Sequence, residues 1–199
     1  MSACDAGADA IGLVFYDKSP RHVSIEQAAE ICAALPPFVS SVGLFLDPSA
    51  DFVESVLASV PLDLLQFHGL ETAQFCSSFN RPYIKAVGMK NMQGGDSFAK
   101  FSAYADPFND CKAFLVDSHG SGKAGGTGEV FDWGYVPLDY HKPIILAGGL
   151  NPENVASALE QVPVYAIDLS SGVESQPGIK DKQKIMQLMK EVKRVQCKQ

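Results

Sequence analysis

The chain has 199 residues, 46% of them apolar and 20% charged, enough for one domain with a full hydrophobic core. Its net charge of −7 argues against nucleic acid or an anionic membrane as the main partner, while leaving room for a small anion held by backbone N–H groups and a cation or two. No apolar stretch is long enough to span a bilayer, and the N-terminus lacks the basic-then-apolar build of a signal peptide. The five cysteines (Cys4, Cys32, Cys76, Cys111 and Cys197) include no CxxC pair. A reduced, cytoplasmic protein without a zinc site or disulfide frame is expected, with Cys32 and Cys76 buried on helices.

Residues 1–7 read as the end of a helix. From there strand-like and helix-like runs alternate: strand 10–15, helix 24–35, strand 41–46, helix 49–60, strand 62–68, helix 72–79 and strand 83–88. Helix 97–105, strand 113–117, strand 143–147, helix 151–161, strand 165–169 and helix 181–195 complete the order. Ser24 before Ile25-Glu26-Gln27 has capping-box spacing, and Asn151-Pro152-Glu153 pairs an N-cap with proline at the first helical position. The strands are continuously apolar, as expected when both faces of a parallel sheet are covered. An open doubly wound sheet usually carries one glycine fingerprint near its first strand. Here polar loops follow most strands and the phosphate-like ones come last, which favours a (β/α) barrel in a single domain over residues 1–199. Seven strands are found where a closed barrel needs eight, so the first strand and most of the first helix are expected to be missing, an N-terminally incomplete barrel with two free edges.

The chemistry collects at strand ends. Asp117 closes the run Ala113-Phe114-Leu115-Val116-Asp117 and precedes a glycine-rich segment in which Gly125-Gly126-Thr127-Gly128 resembles a mobile covering loop. A carboxylate so placed is either a general acid or base or a cap for its own loop. Gly148-Gly149 and Ser170-Ser171-Gly172 follow the last two strands, the usual phosphate position in this architecture. Asp168 either orients a cation or a substrate hydroxyl or stabilises its turn. Arg21, in a short loop after the first visible strand, is either a bidentate grip for a substrate carboxylate or an ordinary surface arginine. His68 ends strand 62–68 and points to the same mouth. His22, His119 and His141 show no metal-ligand spacing with it, so no metal is expected.

Taken in order, these segments resemble the phosphoribosylanthranilate isomerase family of tryptophan biosynthesis. The resemblance runs through Gly7-Ala8-Asp9-Ala10-Ile11-Gly12-Leu13-Val14-Phe15, Ser19-Pro20-Arg21, Val42-Gly43-Leu44-Phe45, Leu65-Gln66-Phe67-His68-Gly69 and Ile84-Lys85-Ala86. It continues through Asp117, Gly125-Gly126-Thr127-Gly128, Phe131-Asp132-Trp133, Leu146-Ala147-Gly148-Gly149-Leu150, Asp168-Leu169-Ser170-Ser171-Gly172-Val173-Glu174 and Pro177-Gly178-Ile179-Lys180-Asp181. The resemblance implies a (β/α)8 barrel and the Amadori rearrangement of N-(5-phosphoribosyl)anthranilate to 1-(2-carboxyphenylamino)-1-deoxyribulose 5-phosphate, with no cofactor. It also implies Asp117 as general acid and Arg21 as the holder of the anthranilate carboxylate. Gly148, Gly149, Ser170, Ser171 and Gly172 would form the phosphate loops, and Asp168 and His68 would line the pocket.

One departure stands out. The family opens with a strand carrying a Lys-Ile-Cys-Gly type motif whose cysteine is the general base, and this sequence begins after it. Cys4, just before the Gly7-Ala8-Asp9 turn, lies at the wrong end of a βα unit to replace it. A phosphosugar-binding barrel that does not turn over its ligand is therefore the alternative. A histidine-pathway isomerase would show two-fold internal repetition with paired aspartates, and indole-glycerol-phosphate synthase several strand-end lysines where Lys85 stands alone. Because the family includes chains fused to that synthase, the resemblance leaves fusion or association with it open.

Overall fold

The computed structural model describes residues 2–118 and 131–197. Seven strands, β1 (Ala10–Val14), β2 (Ser40–Phe45), β3 (Leu64–Phe67), β4 (Tyr83–Gly88), β5 (Ala113–Asp117), β6 (Ile144–Leu146) and β7 (Ala166–Ile167), form one parallel sheet in sequential order. All six ladders are parallel, each strand pairing with the next in the chain, from Ala10 opposite Ser40 to Leu146 opposite Ile167. Laid flat, six inter-strand steps of about 4.8 Å would separate β1 from β7 by about 29 Å. Instead Tyr16 and Arg21, after β1, line the same cavity as Asp168 to Ser171, after β7. The sheet is thus curled into a (β/α)8-type barrel wall, and among the described residues nothing pairs β7 with β1.

Side-chain alternation shows why the curl holds. Leu13, Phe45, Leu65, Phe67, Phe114, Val116 and Leu146 point outward and share one buried cluster with helix residues such as Val53, Val56, Phe101 and Ala158. The inward positions build a smaller cluster of Ala86, Leu115 and Ala147, with Ile145 partly buried against it. Both faces of β4 and β5 are covered, which accounts for their unbroken apolar sequence.

Helices α2 (Ile25–Ala34), α3 (Ala50–Ser59), α4 (Ala73–Ser77) and α5 (Ser97–Ala105) cover the outer face, and each starts on a side-chain cap. The capping box read at Ser24 is present: Ser24 Oγ accepts from Gln27 N at 3.2 Å, and Gln27 Oε1 accepts from Ser24 N at 3.0 Å. The expectation at Asn151 is corrected. Its Oδ1 accepts from Glu153 N and Asn154 N, which makes a turn, and regular helix α6 (Val155–Gln161) begins only afterwards. Cys32 is half-buried rather than buried, whereas Cys76 is fully enclosed.

Two further features complete the fold. Helix α1 (Ser2–Ala6) packs through Ala3 and Ala6 beside Met189 of α7 (Lys182–Gln196). A short antiparallel hairpin, β8 (Glu174–Gln176) and β9 (Ile179–Lys180), was not foreseen and follows the β7 loop. Its turn residue Gly178 has φ +84°, and a Cβ there would lie 2.5 Å from Pro20 O. The hairpin therefore reaches back across the open edge to the β1 loop.

Candidate active site

One cavity opens at the C-terminal ends of the strands. Arg21, His68, Asp117, Gly148, Gly149, Asp168, Ser170 and Ser171 all line it, so every proposed side chain and all but one of the proposed glycine and serine positions meet in one place. Gly172 stands just behind, where a Cβ would fall 1.9 Å from Leu150 O. That contact locks the β7 loop onto the β6 loop. Gly172→Ala is expected to cost about 1–3 kcal/mol by overpacking; urea unfolding would show it, and an unchanged midpoint would sink the account.

Asp117 is buried at the end of β5, and Ser118 Oγ donates to its Oδ1 at 3.2 Å. Gly148, at φ +86°, lies against it: a Cβ would meet Ser118 N at 2.6 Å and Asp117 Oδ1 at 2.8 Å. Only glycine gives that carboxylate its place. Asp168 is reached by solvent through the mouth, but the surrounding wall shields it from bulk water. That shielding, together with the charge of Asp117, pushes its carboxyl up to about 6, against the opposing pull of Lys180. His68 Nε2 contacts the Gln66 carboxamide on the same inward face of the β3 line.

Arg21 is not an ordinary surface arginine. Its Nε and Nη2 donate to Glu174 Oε1 and Oε2, each at 2.8 Å, and its side chain is 17% exposed against 4% for the partner. Two of five guanidinium N–H groups are thereby used, and among the described residues the other three make no hydrogen bond. Burial alone would raise the Glu174 carboxyl, but hydrogen bonds and charge from Arg21 and Lys180 hold it down to about 2. Lys180 Nζ donates to Ser170 O at 2.9 Å, Ser170 Oγ at 3.1 Å and Glu174 Oε1 at 2.9 Å, which occupies all its protons. Neither Glu174 nor Lys180 was picked out from the sequence as a site residue. The Pro177-Gly178 turn was the available signal, since it marks a reversal that returns Lys180 to Glu174.

Among the described residues no cysteine lines this cavity. Cys4 sits in α1, ahead of β1, as its sequence position implied. Burial raises the thiols of Cys32 and Cys111 and pushes Cys76 up to about 12, so these three are structural groups. Gly125-Gly126-Thr127-Gly128, read as a covering loop, lies outside the described residues. No cluster able to hold a metal ion occurs among the described residues, and none of their helices is long and apolar enough to cross a membrane.

A curled parallel βα sheet with a carboxylate at one strand end and glycine-serine loops after the last two strands has the build of a (β/α)-barrel enzyme site, where phosphate groups are frequently held at the last two loops. Comparison with known proteins narrows the class. The family model for N-(5'-phosphoribosyl)anthranilate isomerase matches residues 1–191. A relative of that name from Alcanivorax borkumensis is 52% identical over 200 residues, covering 97% of this chain and 89% of its own length. The phosphoribosyl anthranilate isomerase of Thermotoga maritima superposes with a TM-score of 0.82 at 37% identity, over 96% of this chain and 91% of that one. A further isomerase structure, in complex with reduced 1-(o-carboxyphenylamino)-1-deoxyribulose 5-phosphate, gives 0.81 at 35% identity over the same shares. The chain belongs to the N-(5'-phosphoribosyl)anthranilate isomerase family, isomerases of tryptophan biosynthesis.

Proposed function

We propose that this cavity holds N-(5-phosphoribosyl)anthranilate with its phosphate on the β6 and β7 loops and its carboxylate on Arg21. Backbone N–H groups of Gly148, Gly149, Ser170, Ser171 and Gly172 take the phosphate, and the three uncommitted N–H groups of Arg21 take the carboxylate. Asp117, between the two ends, protonates the ribose ring oxygen as the sugar opens to a Schiff base. Loss of the C2 proton then gives an enamine that relaxes to the ketone. Asp168 and His68 line the middle of the pocket and face the reacting carbons. The observation that carries this reading is the convergence of Asp117, Arg21 and both anion loops on one cavity.

A second reading, binding without turnover, is favoured by one observation: the five cysteines all lie away from the mouth, so the C2 proton meets no thiol. Purified chain given N-(5-phosphoribosyl)anthranilate separates the two. Turnover of this substrate above the uncatalysed rate supports the first reading. Affinity with no turnover at all would favour the second reading, and neither affinity nor turnover would overturn both. The native mass of the protein, set against 21.3 kDa, tests whether it works joined to indole-glycerol-phosphate synthase.

A further inference from the structure

Between the two ends of the pocket runs a continuous polar bridge. Arg21 donates twice to Glu174, Glu174 Oε1 also accepts from Lys180, and Lys180 donates to both Ser170 oxygens. Glu174 lies behind the pocket wall formed by Arg21 and Ser170, with its side chain 4% exposed. A further lysine, Lys184, donates to the Glu174 backbone carbonyl at 2.7 Å and fixes the strand that carries it. The bridge joins residues 153 positions apart in sequence, across the edge where β1 and β7 do not pair.

We propose that Glu174 is a positioning residue that couples the carboxylate end of the pocket to its phosphate end. It touches no substrate. Glu174 fixes the plane of the Arg21 guanidinium, so that the unused N–H groups face the cavity in one orientation. Through Lys180 the same carboxylate fixes the Ser170 backbone, whose loop offers the phosphate its donors. A shift at either end moves the shared carboxylate, so each half of a substrate with an anion at both ends prepares the site for the other half. A substrate with one anion gains only half of this. The site thereby selects molecules whose carboxylate and phosphate are held at a fixed spacing. This inference rests on the binding roles given above to Arg21 and to the Ser170 loop.

Two half-substrates, anthranilate and inorganic phosphate, test it by calorimetric or NMR titration of the whole chain, each alone and each in the presence of the other. Glu174→Gln keeps the volume and removes the charge, and we expect both affinities to fall by about tenfold. Lys180→Met, at a side chain 43% exposed, is expected to weaken anthranilate by about fivefold although Lys180 makes no bond to Arg21. Lys182→Met removes the same charge two residues along and should change anthranilate binding less than twofold. The coupling is overturned if Lys180→Met weakens phosphate alone, or if Lys182→Met matches it at the anthranilate end. Should Glu174→Gln fail to fold, the Lys180 and Lys182 comparison decides alone. If the unsubstituted chain binds neither probe, the pocket reading itself falls and the coupling falls with it.

Discussion

Replacing Glu71 by leucine is expected to destabilise the protein by about 3–5 kcal/mol, the usual cost of leaving one partner of a buried ion pair unmatched. Lys85 projects outward from β4 and is fully buried. Its ammonium donates to Phe67 O at 3.2 Å, Gly69 O at 2.7 Å and Glu71 Oε2 at 3.0 Å. The other carboxylate oxygen accepts from Asp47 N at 2.8 Å and Gly69 N at 3.1 Å. Leucine would strand the ammonium among carbonyls and leave two backbone donors without their acceptor. The double variant Glu71→Leu with Lys85→Met should recover part of the loss, because well-packed apolar pairs often replace buried ion pairs at little cost. Urea unfolding measures both. A single-variant loss under about 1 kcal/mol, the level of an exposed pair, would show that the pair is not enclosed as described. Because Asp47 and Gly69 flank the pocket loops that carry Leu46 and His68, the same variant should also loosen ligand binding.

Under the acid role proposed for Asp117, Asp117→Asn is expected to lower kcat by about 10²–10⁴ with KM little changed, the mark of proton transfer rather than grip. A second consequence is specific to this pocket. The charge of Asp117 is one of the causes that raise the Asp168 carboxyl to about 6, so the amide variant should let Asp168 fall back toward its ordinary 3.8. Carbon-detected NMR titration of the aspartates reads this directly. For stability the sign is fixed by the raised value: a carboxyl that resists ionisation in the folded state contributes stability fully present below about pH 4 and lost as pH rises through about 6. Asp117→Asn should flatten that loss. An unmoved Asp168 would mean that shielding alone sets its value.

The repeated βα units were legible because covered strands and capped helices leave strong local marks. Strand β4, strand β5 and helix α5 fall where the sequence pattern places them. Strand β7 is shorter than its apolar run, since the chain turns into the pocket at Asp168 after two paired residues. The β8–β9 hairpin escaped notice because its strands are brief and largely exposed, so no alternation marks them. Arg21 was legible as a candidate, but its partner was not, since pairing with Glu174 depends on how far the sheet curls. Lys85 stands at an outward position of β4, between the inward Ile84 and Ala86, and only the packing of Phe108 and Glu71 around it reveals an enclosed cation.

The strictly sequential strand order also governs when the pocket exists. Every sheet ladder joins neighbours in the chain, so each βα unit can dock on the one before it as the polypeptide leaves the ribosome, with little loop entropy to overcome. The hairpin's return to the first loop is of another kind, since it closes a separation of 153 residues. Arg21 is made long before its partner and waits for it. A nascent chain halted before Glu174 would hold all seven strands of the wall with Arg21 still unpaired from Glu174, and the proposed ligand binding would therefore report arrival of the hairpin rather than formation of the sheet.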